Sequence, residues 1–202
     1  MAVFGASVVL PVQGLMSQMY DAPDLAEVAC APTSALTSSM EDLGYHCKRY
    51  NYLSGYDLSK PSGTQMLRLD FKQHPPRFSW ISLPCTRLSP LQNLANRSEE
   101  EWGNFEKRVA RDLKRADEVA QGITEGMDLC PESDFAWEWP TGAVRGWRGR
   151  AIQRLLQKAR DLNRPVYWCR FHGCAYGLKF REIPILKGWT VLTTNRRLWL
   201  SL

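Results

Sequence analysis

No stretch of this 202-residue chain is both long and apolar enough to be expected to cross a bilayer as a helix. The best candidate, Ala2 to Met16, is short, is interrupted by Pro11 and Gly14, and has no basic residues ahead of it. Neither a spanning helix nor a secretory signal is expected there, and 1–24 reads as an N-terminal extension packed on a single domain over 25–202. No internal repeat, low-complexity tract or disordered linker is visible, which excludes repeat arrays and disordered classes. Cysteine is sparse: six residues, at 30, 47, 85, 130, 169 and 174, are scattered through a chain too large to need staples, as expected of reduced thiols in an intracellular protein. Cys169, His172 and Cys174 lack a fourth ligand and sit in a segment that alternates as a strand does, so no metal is expected. The net charge of +5 permits a nucleic-acid or phosphate partner without requiring one.

What is present is an alternation of strand-like and helix-like segments. Apolar residues make up 44% and charged residues 23%, a composition that builds one core of ordinary size. Leu25 to Cys30 reads as a strand, and Ser34 as the cap of a helix carrying Leu36, Met40 and Leu43 on one face, closed by Gly44. His46 to Leu53 reads as a second strand leaving through Gly55-Tyr56-Asp57, and Gly63 to Gln73 as a helix with Met66, Leu67 and Phe71 inward. After a third strand, Phe78 to Leu83, the longest helix starts at Ser98, which forms a capping box with Glu101. Trp102, Phe105, Val109, Leu113, Ala116, Ala120 and Ile123 form its buried stripe, and Gly126 ends the pattern. Phe135 to Trp139 is a further strand and Gly149 to Asn163 a further helix. Pro165 to Phe171 and Trp189 to Thr194 have no long helix between them, which predicts antiparallel pairing at the C-terminal end of an otherwise parallel sheet. The expected architecture is a doubly wound α/β sandwich, with ligands at the carboxyl ends of the strands.

Four loops at those ends carry the candidates: Cys30-Ala31-Pro32-Thr33-Ser34, Gly55-Tyr56-Asp57, Pro84-Cys85 and Glu138-Trp139-Pro140. In that order they resemble the class I methyltransferases that use S-adenosylmethionine, and more closely the cytosine-C5 DNA methyltransferases, over about Leu25 to Asn195. Leu83-Pro84-Cys85-Thr86-Arg87-Leu88-Ser89 is similar to that family's Pro-Pro-Cys loop, and Trp137-Glu138-Trp139-Pro140 stands where its Glu-Asn motif would. A closer likeness is to methyltransferase-like domains of retroelement-type proteins, on Glu27-Val28-Ala29-Cys30, Ser34-Ala35-Leu36-Thr37, Ile81-Ser82-Leu83-Pro84-Cys85, Gly173-Cys174-Ala175-Tyr176-Gly177-Leu178 and Leu192-Thr193-Thr194-Asn195.

The resemblance implies a mostly parallel, Rossmann-like methyltransferase sheet with an antiparallel C-terminal strand. It implies Cys85 as the thiolate that adds to C6 of a flipped-out cytosine and Glu138 as the carboxyl group at N3. Glu27, Cys30, Thr33, Ser34 and Asp57 would hold S-adenosylmethionine. The chain departs from the family in having no glycine in the first turn, a leucine for one proline of the doubled pair, and Trp139 in place of asparagine. The chain is also expected to lack a separate target-recognition region, and those departures leave three readings open: a domain of a larger product, action on another substrate, or a degenerate domain that has lost activity. A noncatalytic nucleic-acid-binding or assembly module, part of a retroelement-type polyprotein, is the alternative. Arg145, Arg148, Arg150 and Arg154, continued by Lys158, Arg160 and Arg164, would follow a phosphate backbone in that case. The plainer readings of these residues are a buried structural thiol, a turn-forming aspartate and a solvated helix face.

Overall fold

The structure is a computed structural model and describes residues 22–89, 92, 94–173, 179–184 and 187–202. The apolar run from Ala2 to Met16 and Cys174 lie outside the described residues, as do Pro90 and the segment 175–178. A six-stranded mixed sheet runs in the order β2-β1-β3-β4-β8-β5, built from β1 (Leu25–Val28), β2 (Cys47–Tyr50), β3 (Phe78–Ile81), β4 (Asp134–Pro140), β5 (Tyr167–His172) and β8 (Gly188–Thr193). A two-stranded ribbon, β6 (Lys179–Phe180) and β7 (Ile183–Pro184), stands apart. β1, β2, β3 and β4 pair in parallel, while β8 runs antiparallel to both β4 and β5. The expected antiparallel C-terminal pairing is therefore present, with β8 inserted between β4 and β5 instead of added at the edge.

Among the described residues the α-helices are α1 (Ala35–Asp42), α2 (Pro61–Gln73), α3 (Glu99–Leu129), α4 (Val144–Trp147) and α5 (Arg150–Asp161), which lie between strands, and α6 (Arg196–Ser201), which follows the last one. Side chains alternate across a strand, so Ala26, Val28, Ile81, Phe135, Trp137 and Trp139 share one face. All are at most 1% exposed and pack with Leu67 and Phe71 of α2, Val109 and Ala120 of α3, and Ile152 and Leu155 of α5. α3 is the spine of this layer. Its capping box is formed as the sequence predicts, with the Ser98 backbone N–H donating to Glu101 Oε2 at 2.8 Å and the Glu101 N–H to Ser98 Oγ at 3.3 Å. The helix runs past Gly126 to Leu129, because Gly126 lies against Phe71 and lets α2 approach closely.

Two helix faces differ from expectation. α1 buries only Thr37; Leu36 and Met40 are half-buried and Leu43 is 72% exposed, so this short helix makes almost no core. On α2, Leu67 and Phe71 point inward as expected, but Met66 is exposed, because the helix instead turns Gly63 and Thr64 to the sheet side. Gly44, at φ 84°, closes α1 in a left-handed conformation that a side chain would strain. Among the described residues no helix is long and apolar enough to cross a membrane.

The chain leaves β1 toward one edge of the sheet and β3 toward the other, so the strand order reverses between these two neighbours. The loops after β1 and β3 diverge there and leave a crevice at the carboxyl ends, which is where open α/β sheets place ligands.

Candidate functional site

That crevice is a cleft of about 380 Å³, within the range of small-molecule sites. Ala29 and Cys30 reach it from β1, Asn51, Tyr56 and Asp57 from the exit of β2, and Leu83 and Pro84 from β3. The first turn contains no glycine, yet Ala29 adopts φ 63°, the conformation a glycine would take at least cost. Its N–H donates to the Tyr50 carbonyl at 2.8 Å, so the turn is held by the neighbouring strand. A Cβ on Gly63 would lie 2.1 Å from the Asp57 carbonyl oxygen, so the start of α2 can sit under this loop only as glycine. The far wall is polar: Asp112 of α3 receives Arg87 at 2.7 Å and Arg115 at 3.4 Å. Arg87, Asp112 and Arg115 carried no signal as a site in the sequence, because Arg87 and Asp112 are 25 positions apart and their meeting depends on the angle between α3 and the sheet.

The residues expected to hold a cofactor are dispersed. Cys30 and Asp57 line the cleft; Glu27, Thr33 and Ser34 are not among its lining residues. Glu27 is 6% exposed, and its carboxylate accepts from Ser34 Oγ at 2.6 Å and from the Thr37 hydroxyl. Ser34 does occupy the N-cap position of α1, but it makes no side-chain bond to the helix backbone, because its hydroxyl is committed to Glu27. The pair clamps α1 to β1 across the sheet face opposite α2 and α3. Asp57 folds back on its own turn, accepting from the Ser59 N–H at 3.0 Å and hydroxyl at 2.6 Å and pairing with Lys60 at 3.0 Å. The Ser59 and Lys60 contacts hold its carboxyl below the usual carboxylate range. Thr33 is exposed.

Cys85 follows β3, four positions past Ile81, and Glu138 lies on β4, the parallel neighbour of β3. Trp80 pairs with Glu27 on one side and Ala136 on the other, so Glu27, Trp80, Ser82 and Glu138 all face away from the core helices. The Trp80 indole N–H donates to Ser82 Oγ at 2.8 Å, and the Ser82 hydroxyl donates to Glu138 Oε2 at 3.0 Å. Burial pushes the Glu138 carboxyl above its ordinary range; the Ser82 bond and the charge of Lys187 oppose that, and the charge of Glu27 adds to it. The half-buried Cys85 packs against the edge of the core, and burial raises its thiol while Lys187 lowers it and Glu138 raises it further. Cys85, Glu138 and Lys187 therefore share one electrostatic environment, and the thiol is protonated at neutral pH. Neither Cys85 nor Glu138 is among the residues lining the cleft beside Pro84.

The basic face expected to follow nucleic acid is largely neutralised. Arg145 forms a two-pronged pair with Glu106 at 2.8 Å, Arg154 another with Asp117, and Lys158 pairs with Asp128 at 2.6 Å. Arg160 donates to Gln157, and Arg164 is bound by Asp134 and the carbonyls of Pro131 and Ser133. Arg148 and Arg150 make no side-chain hydrogen bond or ion pair among the described residues. No group of three or more potential metal ligands occurs among the described residues, and Cys174 lies outside them.

Leu192-Thr193-Thr194-Asn195 has a structural duty at the opposite, amino end of β4. Thr193 Oγ1 donates to the Phe135 carbonyl at 2.5 Å, Thr194 Oγ1 to Asp134 at 2.7 Å, and the Asn195 amide to the other Asp134 oxygen at 2.7 Å. No sequence model of a known family matches the chain, and no curated protein matches it.

Proposed function

We propose that this chain is a methyltransferase-like domain related to the cytosine-C5 DNA methyltransferases, with the cleft at the switch point as its cofactor site and chemistry weakened at Cys85. The observation that carries this reading is the arrangement at the strand ends: a cleft between the exits of β1 and β3 that reaches Pro84, with the Cys85 thiol next along the chain and electrostatically coupled to Glu138 of the neighbouring strand β4. The antiparallel β8 lodged between β4 and β5 supports the same reading at the level of the sheet.

The cleft fits S-adenosylmethionine in size and in its mixed lining, with Tyr56 and Leu58 offering apolar contact and Asn51, Asp57 and Arg87 polar groups. That cofactor would supply an electrophilic methyl group there. The left-handed Ala29 allows the close backbone turn that the resemblance leads one to expect of glycine. Asp57 must release Lys60 or share an oxygen to hold a ribose. Glu138 is held by Ser82 and biased toward its protonated form, which suits a group that donates to a ring nitrogen. Cys85 is the weak part: nucleophilic addition needs a thiolate, and its surroundings favour the thiol.

Calorimetric titration with S-adenosylmethionine tests the proposal. Saturable heat in the micromolar to millimolar range is expected, abolished by filling the cleft with a Cys30→Trp substitution. The absence of any heat at millimolar cofactor removes the cofactor site, and with it the methyltransferase reading.

A further inference from the structure

Much of the positive charge on this surface is answered by a neighbouring carboxylate, and two recesses are exceptions: a shallow one on α3 lined by Lys107, Arg108 and Arg111, which has no aromatic residue, and one beside β5. The latter measures about 410 Å³, lies beyond the carboxyl end of β4, and is lined by Arg148, Arg170, Trp147, Trp168, Thr141 and Thr190, among others. No acidic side chain lines it, and neither guanidinium makes a hydrogen bond or ion pair among the described residues. Arg150 is different: its own groove also holds Glu125, Asp128 and Asp161. Two uncompensated guanidinium groups facing one recess form a site for an anion with several acceptor oxygens.

The second observation is aromatic. Trp168 is 46% exposed in the same recess, and its ring meets Trp147 edge-on at 5.3 Å between centroids. Trp147 meets Trp139 at 5.6 Å, and Trp139 meets Trp137 at 5.1 Å, so a row of four indoles runs from the core to the surface. The indole of Trp147 is further fixed by donating to the Pro140 carbonyl at 3.0 Å. Trp168 is thus an exposed ring backed by a fixed edge-to-face row, and docking a flat ligand on it orders little that is not ordered already. Thr141 and Thr190 share a 3.0 Å hydrogen bond beside it, leaving hydroxyl acceptor capacity for a polar group. A simple carboxylate would satisfy the arginines and leave the ring unused; a flat apolar ligand would do the reverse. A phosphate joined to a planar base by a sugar uses both.

We propose that the Arg148–Trp168–Arg170 recess binds a nucleotide unit, with the phosphate on the two guanidinium groups and the base against the Trp168 indole. The site is separate from the cleft between β1 and β3, shares no lining residue with it, and does not depend on S-adenosylmethionine binding. It also lies apart from Arg145 and Arg154, whose charges are already taken.

The test uses thymidine monophosphate and oligothymidylate as probes at low salt, read by tryptophan fluorescence and by calorimetry, with circular dichroism melts to verify folding. Binding of at least one probe with quenching of Trp168 is expected. Replacing both Arg148 and Arg170 by alanine should weaken it at least tenfold, and for the oligomer should reduce the slope of log affinity on log salt by about 1.4, the value for two single-strand phosphate contacts. Trp168→Ala should weaken binding by about fivefold or more. Comparable affinity for both probes identifies a free-nucleotide site; binding of the oligomer alone identifies a strand site, and either supports the recess. Failure of both probes to bind overturns the proposal. So does an Arg145→Ala/Arg154→Ala double variant that weakens binding as much as the Arg148/Arg170 pair.

Discussion

Glu27 and Glu138 face the same side of the sheet, and their environments divide their roles. Glu27 has both oxygens occupied by hydroxyls of Ser34 and Thr37, so it is a fastening for α1. Glu138 is held by Ser82 and by the Trp80 indole that donates to the same hydroxyl, in a buried setting that disfavours its charge. A carboxyl group whose pKa is raised on folding binds its proton more tightly in the native state than in the unfolded chain. Stability is then lost as pH rises from the ordinary glutamate value through the raised one, and the native state above that window carries the cost of a buried charge. Glu138→Gln removes the ionisation. The variant is expected to melt higher than the parent at neutral pH, with the gap closing as the solution is acidified; a gap of constant size across that range contradicts the assignment. The Glu27 fastening could not be read from the sequence, since Ser34 presents the pattern of an ordinary helix cap and only the register of β1 shows its hydroxyl another acceptor.

Among elements, α3 sets the arrangement of the rest. It lends Glu106, Asp117 and Asp128 to the basic residues of α4 and α5 and Glu125 to Arg68 of α2, so these three helices are matched to it in charge. Each such exposed pair contributes less than about 1 kcal/mol, and their combined effect is to fix which faces meet. Its stripe and its capping box were legible because both repeat on local spacings of three and four. The charge partners of Arg145 and Arg154 were not, because they lie 39 and 37 positions earlier on a different helix. Ser98→Ala should cost about 1 kcal/mol by releasing the Glu101 N–H, lowering the melting temperature by about 2–4 °C. A thermal scan showing no shift would mean that the first turn of α3 is held by other contacts.

At the scale of the molecule, alternation of strands and helices revealed the α/β class and most of the elements, while the order of strands in the sheet stayed hidden. Nothing in Trp189 to Thr194 specifies that β8 lies between β4 and β5, because hydrogen bonding along a strand is indifferent to sequence. The side chains that enforce the choice are found at the strand's last residue and just beyond it: Thr193, Thr194 and Asn195 fasten the exit of β8 to the start of β4, and Arg164 joins them through Asp134. Asn195 also caps α6 by accepting from the Leu198 N–H at 2.9 Å. Asn195→Ala should therefore cost about 1–2 kcal/mol, seen as a lower urea midpoint at unchanged slope. An Asn195→Asp variant keeps the cap acceptor but sets a second carboxylate against Asp134, so recovery of full stability by it would argue against the Asp134 contact. The same arrangement governs how the domain can be made. Among the described residues β5 has no neighbour in the sheet except β8, which is synthesised after it, so during translation that edge of β4 and this strand wait for their partner until residue 193 clears the ribosome. Sheet closure is thus a late event in the life of each nascent chain, and the interval before it is when two unfinished copies can pair strand to strand.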